Sequence, residues 1–244
     1  MFKPSGRLAR IGFVLRSTLF PERCAVCGQL CTTRGFCKNC AVKIVPYPKR
    51  CCQKCGLPAQ NCECALYFYY FKGVVAPFLN KDEAKTALYA LKFRGALGAA
   101  PYFALQMANR VRQCFGRVDF DLVTAVPMGK TKLRERGYNQ AEVLARLVAA
   151  ELQLPYRRLL CQNRKTKEQH FSATVQERFE NTVGKYRVKR FKNLTGKTVL
   201  LVDDIKTSGA TLNECTRQLL LNGIGAVYCT TALVTNYEKE TKNA

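Results

Sequence analysis

The chain has 244 residues, of which 48% are hydrophobic and 23% are charged, and these proportions exclude a wholly disordered chain. No uninterrupted apolar run reaches the roughly 20 residues that a membrane-spanning helix needs. The formal net charge of +23 favours polyanionic partners, such as nucleic acid, phosphorylated small molecules or an acidic membrane surface.

The first residues do not have the pattern of an export signal. Such a signal needs an unbroken apolar stretch, and here four basic side chains interrupt it: Lys3, Arg7, Arg10 and Arg16. The sequence therefore predicts a short basic helix over residues 1–22 and a cytoplasmic protein.

Cysteine spacing distinguishes the next segment. Ten of the fourteen cysteines lie between Cys24 and Cys64. They include two successive units, in each of which a Cys-x-x-Cys-Gly motif is followed by a second cysteine pair: Cys24, Cys27, Cys37 and Cys40, then Cys52, Cys55, Cys62 and Cys64. Four thiolates at such spacing suit one tetrahedral Zn²⁺, so residues 23–66 are predicted to be a double zinc ribbon.

Some alternatives within this segment stay open. A disulfide cluster would crowd cysteines in the same way, although it belongs to an oxidising compartment. Cys51 competes with Cys52 for the second site, and Cys31 is left over. Because so short a segment cannot build a sufficient core alone, and because the only histidine, His170, is far away in the sequence, we expect both zinc ions to be structural. Eight thiolates and two Zn²⁺ change the net charge by −8 + 4 = −4, to +19, which is still strongly basic.

The remainder, residues 67–244, has the pattern of an α/β domain. In chain order the sequence predicts a strand pair or strand-turn over 67–79, helices over 82–93 and 99–115, a strand over 121–126, a helix over 139–152, a basic connection with short elements over 157–192, a strand over 198–202, a helix over 212–221 and a strand over 227–234. This order predicts a parallel sheet with right-handed crossovers. The aromatic residues of 67–79 are expected to be core or domain-interface residues rather than stacking platforms for bases.

The segment 199–211 has the composition of a phosphate-binding turn. An apolar strand leads into two carboxylates, and small or hydroxylic residues then lead into a helix: Asp203, Asp204, Lys206, Thr207, Ser208, Gly209, Ala210 and Thr211. Ligands of open α/β sheets bind at the carboxyl ends of strands, and the free N–H groups of a helix start attract a phosphate. An ionised Asp only accepts hydrogen bonds, so acids beside such a cradle suit a ligand that also carries hydroxyls, as ribose 5-phosphate does.

Other interpretations of this segment are weaker. An ordinary strand-to-helix turn is the alternative. The run Gly196-Lys197-Thr198 imitates the end of a Walker P-loop, but the first glycine of that motif would fall on Phe191, and the run precedes the strand.

These residues resemble the signature of the type I phosphoribosyltransferases. Further motifs are similar to those of the competence protein F (ComF) family, whose members couple an N-terminal double zinc ribbon to a phosphoribosyltransferase domain. The motifs are Lys92-Phe93-Arg94-Gly95, Val126-Pro127, the run from Arg134 to Ala141, and Arg164, Thr166 and Gln169 with Arg178 and Asn181 beyond. Two departures, at Ala96 and at Phe171-Ser172, blur the substrate side of the site.

The resemblance implies phosphoribosyl pyrophosphate as the ligand, bound with Mg²⁺. Asp203 and Asp204 would hold the ribose hydroxyls, and Thr207, Ser208, Gly209, Ala210 and Thr211 would hold the 5-phosphate. Lys206 would also belong to the binding site. The pyrophosphate loop would consist of Met128, Gly129, Lys130 and Thr131, with Lys130 or Arg134 stabilising the departing pyrophosphate. A mobile hood loop would contain Arg164, Thr166 and Gln169.

Two functions follow as hypotheses. The first is a phosphoribosyltransferase, whose acceptor the sequence does not identify. The second is an accessory protein of DNA uptake, in which the same fold and the zinc ribbons bind single-stranded DNA or a competence helicase.

Overall fold

The computed structural model of the chain describes residues 23–31, 35–44, 46–48, 50–93, 97–163, 174–189 and 193–236. The helix predicted over residues 1–22 lies outside the described residues. So do Arg164, Thr166 and Gln169 of the predicted hood loop.

Strands and helices alternate along most of the described chain. The strands are β1 (Gly73–Val75), β2 (Phe78–Leu79), β3 (Leu122–Ala125), β4 (Leu160–Gln162), β5 (Tyr186–Val188), β6 (Thr198–Lys206) and β7 (Ala226–Val234). The α-helices are α1 (Lys38–Ala41), α2 (Asp82–Phe93), α3 (Ala100–Phe115), α4 (Lys130–Arg136), α5 (Gln140–Leu152), α6 (Val175–Glu180) and α7 (Ala210–Leu221).

The main sheet is parallel, as the sequence predicts. Its strand order is β1-β7-β6-β3, and β2 also pairs with β7, beyond β1. All four residues of β3 are buried, and so are the apolar residues 199–202 of β6. Continuous apolar runs of this kind are typical of parallel strands that are covered on both faces.

Helices flank this sheet. Helices α3 and α5 pack on each other, with α3 against β7 and α5 against β3 and β6, while α7 packs on β6, β7 and β5. Strands β4 and β5 pair antiparallel and form a small separate two-stranded sheet. The fold is therefore α/β, a parallel sheet flanked by helices, with a small cysteine-rich module at its N-terminal side. This architecture agrees with the fold that the resemblance to the type I phosphoribosyltransferases implies.

The cysteine-rich module is docked on the first strands of the sheet. The backbone N–H of Val74 donates to the carbonyl of Gln53 at 3.0 Å, and the N–H of Tyr47 donates to the carbonyl of Pro77 at 2.7 Å. A Cβ on Gly56 would lie 2.9 Å from the carbonyl oxygen of Val74, so the two backbones approach closely enough to require glycine. The module and the domain consequently share one continuous core.

The segment between module and sheet alternates between two environments. Tyr69 and Phe71 are buried, whereas Phe68 and Tyr70 are 74% and 41% exposed. The prediction that these aromatic residues lie in the core or at a domain interface is therefore confirmed for Tyr69 and Phe71 and is wrong for Phe68 and Tyr70. The Asn213 side chain of α7 fixes this segment, because it donates to the carbonyl of Phe68 at 3.1 Å and accepts from the N–H of Tyr70 at 2.6 Å.

Three elements differ from the sequence prediction. The strand pair or strand-turn predicted over 67–79 consists instead of two short strands, β1 and β2, which both pair in parallel with β7 and not with each other. Strand β6 is four residues longer than predicted, because Asp203, Ile205 and Lys206 continue the pairing with β7. Helix α4 is not predicted, since Leu133 is its only apolar residue besides the aliphatic parts of its charged side chains. It ends at Gly137, whose φ of +78° and N–H bond to the Leu133 carbonyl form a glycine C-cap.

Within the described ranges, none of the helices combines the length and the apolar character needed to cross a membrane.

Candidate functional site

The eight predicted ligand cysteines form two clusters. The first cluster contains Cys24, Cys27, Cys37 and Cys40, and the second contains Cys52, Cys55, Cys62 and Cys64. In each, the four sulfur atoms lie within 4.8 Å of one another, and the Sγ–Sγ distances include 3.8 Å for Cys27–Cys37 and 3.7 Å for Cys52–Cys64. A tetrahedral zinc with Zn–S bonds of about 2.3 Å requires sulfur separations of about 3.8 Å. The residues therefore fit structural zinc.

The two clusters are built on the same turn. The N–H of Gly28 donates to the carbonyl of Cys24 at 2.9 Å, and the N–H of Gly56 donates to that of Cys52 at 2.8 Å. Both glycines have a left-handed φ, +73° and +74°. The internal repeat that the sequence predicts is therefore also a structural repeat.

Backbone donors favour the thiolate form in each turn. Burial raises the pKa of Cys24, but N–H groups of Cys27, Cys37 and Val26 outweigh it and lower the pKa to about 6. In the second cluster, burial likewise raises the pKa of Cys52, and N–H groups of Cys55 and Lys54 lower it to about 7. Metal ligation needs the thiolate, so one cysteine of each turn is prepared for a cation. Burial and the neighbouring sulfur atoms have the opposite effect on other members of the clusters: they raise the pKa of Cys40 to about 12 and also raise the pKa of Cys55 and of Cys64.

The structure resolves the two open questions about this segment. No disulfide joins any of the fourteen cysteines, all of which lie in the described ranges. Cys52 belongs to the second cluster and Cys51 does not, because the Cys51 sulfur faces the carbonyl of Pro48 at 3.4 Å and the Arg110 guanidinium at 2.9 Å.

The neighbouring pair Cys51 and Cys52 allows a matched test of metal binding. We expect Cys52→Ser to lose one of two zinc equivalents per chain, because it removes a ligand, whereas Cys51→Ser keeps both. Metal content is measured by mass spectrometry on purified, reduced protein. Retention of both equivalents in Cys52→Ser, or equal loss in the two variants, would contradict the ligand assignment.

The predicted phosphoribosyl site coincides with a cleft at the carboxyl ends of β3 and β6. This acidic cleft has a volume of about 260 Å³. Its walls come from five parts of the chain: Lys92 of α2; Val126, Pro127, Met128 and Gly129 after β3; Lys132 and Arg136 of α4 with Asn139, Gln140 and Ala141 at the start of α5; Gln162 of β4 and Tyr186 of β5; and Asp203, Asp204 and Thr211.

The acid pair, Asp203 and Asp204, is the negative part of this cleft. Asp203 accepts a hydrogen bond from the N–H of Asp204 at 2.8 Å, and Asp204 forms an ion pair with the Lys92 ammonium group, also at 2.8 Å. Burial raises the pKa of Asp203 to about 8, and the adjacent charge of Asp204 adds to the rise, although Lys92 opposes it. Both residues line the cleft, where Asp203 is largely protonated at neutral pH and the Lys92 ammonium group neutralises Asp204.

The phosphate loop, defined here as Thr207 to Thr211, joins β6 to α7. Gly209 precedes the helix with a left-handed φ of +84°, and the N–H of Ala210 donates to the Ser208 hydroxyl at 3.4 Å. Thr207 is exposed and Thr211 lines the cleft, whereas Ser208 is buried. Lys206, predicted as a ligand residue, is 1% exposed and is not part of the cleft wall.

The predicted pyrophosphate loop is divided between two cavities. Met128 and Gly129 line the acidic cleft, and all four loop residues line a neighbouring cavity of about 400 Å³. Gly129 separates the two spaces, and the Gln162 amide lies against it so closely that a Cβ would be 2.2 Å from its oxygen. Lys130 faces the neighbouring cavity, and Arg134 is exposed and lines neither space.

Sequence reasoning missed the cations that do line the cleft. They are Lys92, Lys132 and Arg136. Lys132 and Arg136 are four residues apart and so lie on one face of α4, which was not predicted as a helix. Lys92 and Arg136 belong to the family motifs given above, and this is the sequence signal that could have identified them as site residues. Tyr186 was also missed, because β5 lies in a basic segment without apolar periodicity.

Comparison with known proteins agrees with this geometry. The family model for the phosphoribosyl transferase domain matches residues 138–242. The chain is 26% identical over 203 residues to competence protein ComFC of Bacillus subtilis, and the match covers 78% of this chain and 80% of that protein. It is 25% identical over 217 residues to competence protein F of Haemophilus influenzae, covering 84% and 93% of the two chains.

Among solved structures, adenine phosphoribosyltransferase from Saccharomyces cerevisiae is similar at a TM-score of 0.36 and 14% identity. The match covers 59% of this chain and 72% of that one. The two competence-protein relatives span most of the chain, the matched domain holds the acid pair, and the two cysteine clusters occupy the N-terminal module. These findings fit the competence protein F (ComF) family of phosphoribosyltransferase-like proteins with zinc ribbons.

Proposed function

We propose that the acidic cleft binds phosphoribosyl pyrophosphate together with Mg²⁺ and that the protein is a phosphoribosyltransferase. The observation that carries the proposal is the meeting, in one cleft, of the acid pair, the Thr211 end of the phosphate loop and the Met128-Gly129 turn. A ligand that joins a diol to phosphates at both ends needs these three groups together.

In this proposal the acid pair binds the ribose. Asp203 and Asp204 accept hydrogen bonds from the 2- and 3-hydroxyls, and the N–H groups and hydroxyls of Thr207 to Thr211 bind the 5-phosphate. The backbone of Lys206 contributes to that loop, whereas its buried side chain does not reach the ligand. The raised pKa of Asp203 supports a bound cation, because a positive charge would relieve the repulsion between the acids. Mg²⁺ would add charge neutralisation on the pyrophosphate.

The cations of the cleft act on the leaving group. In the transfer, the bond between ribose C1 and the pyrophosphate oxygen breaks, its electron pair leaves with pyrophosphate, and the acceptor forms a new bond to C1. Lys92, Lys132 and Arg136 line the cleft where they can stabilise the charge that develops on pyrophosphate. Lys130 and Arg134, named from the family pattern, stay secondary candidates, and Arg164, Thr166 and Gln169 stay candidates for closing over the ligand.

The test removes both negative charges from the cleft. We expect Asp203→Asn combined with Asp204→Asn to weaken binding of phosphoribosyl pyrophosphate by at least about 100-fold, because each carboxylate loses a charge-assisted hydrogen bond. Calorimetry measures the affinity in the presence of Mg²⁺, and circular dichroism checks that the fold is native. Asp119→Asn, which neutralises an exposed carboxylate outside the cleft wall, is the matched control. Unchanged affinity in the double variant would reject the site.

The same titration has an expected pH dependence. Because the pKa of Asp203 is about 8 in the free cleft, the carboxylate must lose a proton to accept from a ribose hydroxyl. Affinity should therefore rise from about pH 7 to about pH 9, above the phosphate pKa of about 6, and the double variant should lose this rise. A pH-independent affinity in the unsubstituted protein would show that Asp203 does not accept from the ligand.

A second candidate function is binding of single-stranded DNA, with a competence helicase as a further partner. The specific observation is the exposed pair Phe68 and Tyr70, whose rings meet edge to face at 5.0 Å on the outer side of the segment after the ribbons. Lys72 is also exposed, because it continues the alternation of exposed and buried residues along this segment. Arg217 lies near Tyr70. Aromatic rings next to cations provide stacking platforms for unpaired bases.

We expect Phe68→Ala with Tyr70→Ala to weaken binding of an oligothymidine by about tenfold or more, since each stacked base contributes about 1–3 kcal/mol. Fluorescence anisotropy over a range of salt concentrations is the measurement, and the affinity of the unsubstituted protein should fall with salt. Leu97→Ala, at an exposed apolar residue outside this segment, should change neither value. An affinity that does not respond to salt or to the double substitution would exclude this function.

A further inference from the structure

The neighbouring cavity, on the far side of Gly129 from the acidic cleft, has a strongly positive wall. Four cationic side chains and one carboxylate line it, which gives a net charge of +4 − 1 = +3. They are Lys130, Arg158, Arg187, Lys189 and Glu142. Its volume of about 400 Å³ is typical of small-molecule sites. A concave surface lined by one sign of charge concentrates counter-ions, so this cavity favours an anion.

The one carboxylate of the wall is already neutralised by the protein. Glu142 pairs with the guanidinium of Arg146 at 2.8 Å and also with that of Arg158. In contrast, the two lysines of the wall and Arg187 take part in none of the ion pairs within the described part of the chain. An anionic ligand would supply the counter-charge that the protein does not provide for these three side chains.

The cations converge on the cavity from three parts of the chain. Lys130 begins α4, Arg158 precedes β4, and Arg187 belongs to β5 with Lys189 directly after it. Cations on separate elements suit a ligand that carries several anionic groups, and arginine binds phosphate oxygens in pairs. The wall therefore favours a polyphosphate over a single carboxylate or phosphate.

The rest of the wall offers surfaces that a polyphosphate alone would not use. Leu160 is buried, Leu133 is 39% exposed, and both line the cavity with Tyr156. The guanidinium of Arg146 lies 4.5 Å from the centre of the Tyr156 ring and holds that ring in place. The Gln162 amide adds a group that donates and accepts hydrogen bonds. Cations beside apolar and amide groups fit a nucleoside polyphosphate, whose base and sugar cover the second kind of surface.

The neighbouring cavity and the acidic cleft share a wall. Five residues line both spaces: Pro127, Met128, Gly129, Asn139 and Gln162. The wall is closely packed, because a Cβ on Gly129 would lie 2.2 Å from the Gln162 amide oxygen, and the Asn139 amide donates to the carbonyl of Val126 at 2.9 Å. Two polyanions on opposite faces of so thin a wall repel each other.

We propose that the neighbouring cavity binds a nucleoside polyphosphate as an effector, and that its occupancy lowers the affinity of the acidic cleft for phosphoribosyl pyrophosphate. The site is separate from that of the acceptor, because Gly129 lies between its occupant and the cleft in which ribose C1 would react. Nucleotide binding does not depend on the proposed function, whereas the effect on phosphoribosyl pyrophosphate rests on it. Such a linkage is reciprocal, so each ligand weakens the other by the same factor.

Calorimetric titration of the full chain with ATP and with GTP tests the site. We expect Arg187→Gln combined with Lys189→Gln to weaken binding of the tighter nucleotide at least about tenfold, because two charge-assisted contacts are lost. Lys85→Gln with Arg117→Gln is the matched control: it removes the same two charge types from exposed positions outside both walls. The control should change the affinity less than about twofold. Absence of binding by both nucleotides, or equal effects of the two double variants, would overturn the proposal.

Circular dichroism checks that each variant is folded. If the Arg187→Gln, Lys189→Gln variant is not, Leu133→Glu decides instead, since it places a carboxylate in the wall of the neighbouring cavity and outside that of the acidic cleft. It should weaken binding of the same nucleotide at least about fivefold through charge repulsion. An unchanged affinity would overturn the proposal.

Further titrations identify the ligand class and the place of binding. Inorganic triphosphate should bind at least about fivefold more weakly than the nucleotide, because it leaves the apolar wall uncovered. Equal affinities would overturn the assignment to a nucleoside polyphosphate. The Asp203→Asn, Asp204→Asn variant should keep the nucleotide affinity within about threefold, since those side chains lie outside the neighbouring cavity. Loss of nucleotide binding in that variant would place the nucleotide in the acidic cleft and overturn the second site.

Titration with phosphoribosyl pyrophosphate at rising nucleotide concentrations tests the linkage. Its binding should weaken about fivefold, to a limiting value, in the unsubstituted protein and not in the Arg187→Gln, Lys189→Gln variant. No weakening would overturn the effector role, and weakening that grows without limit or persists in the variant would show direct competition in the acidic cleft. If the unsubstituted protein does not bind phosphoribosyl pyrophosphate, the proposed function fails, while the nucleotide titrations still decide the second site.

Discussion

The chemistry of the candidate site depends on two neighbouring carboxylates, Asp203 and Asp204, that are held together in a partly buried cleft. Parallel pairing of β6 with β7 continues through Asp203, so the acids stand at the end of a rigid strand and cannot separate. Their repulsion and burial raise the pKa of Asp203, and the nearby Lys92 ammonium group relieves this only in part. An arrangement of this kind is unfavourable for folding alone, and such groups concentrate at sites that bind ligands. A ligand that brings hydroxyls and a cation would supply the missing partners.

The surroundings of the acids are consistent with that requirement. Cationic side chains come from α2 and α4, and Thr211 at the start of α7 comes from the phosphate loop. Gln162 of β4 and Tyr186 of β5 complete the wall of the cleft. The cysteine-rich module lies behind the phosphate loop and shares the core of the domain, through contacts such as Tyr69 to Ser208. The module therefore does more than fold a short segment, because it touches the backbone that is proposed to hold a phosphate.

Much of this arrangement could be predicted from the sequence. The cysteine repeat, the parallel sheet and the acid pair each follow from short-range patterns: spacing, apolar runs and a strand that ends in polar residues. Three features could not be predicted in this way. Helix α4 lacks apolar periodicity, so the direction of Lys132 and Arg136 was hidden. Lys206 looks like an exposed loop cation in the sequence, but it is 1% exposed and packs beside the Tyr69 ring and Gly209. The choice between Cys51 and Cys52 depends on which sulfur the Cys-x-x-Cys turn directs inward.

The central claim is that the acid pair binds the diol of a sugar phosphate. Calorimetric titration with ribose 5-phosphate and with 2-deoxyribose 5-phosphate tests it most directly, because the two ligands have the same phosphate and differ in one hydroxyl. The account predicts that ribose 5-phosphate binds at least about tenfold more tightly, as expected for one hydrogen bond to a carboxylate. Equal affinities would contradict it, since the carboxylates would then not be accepting from the sugar.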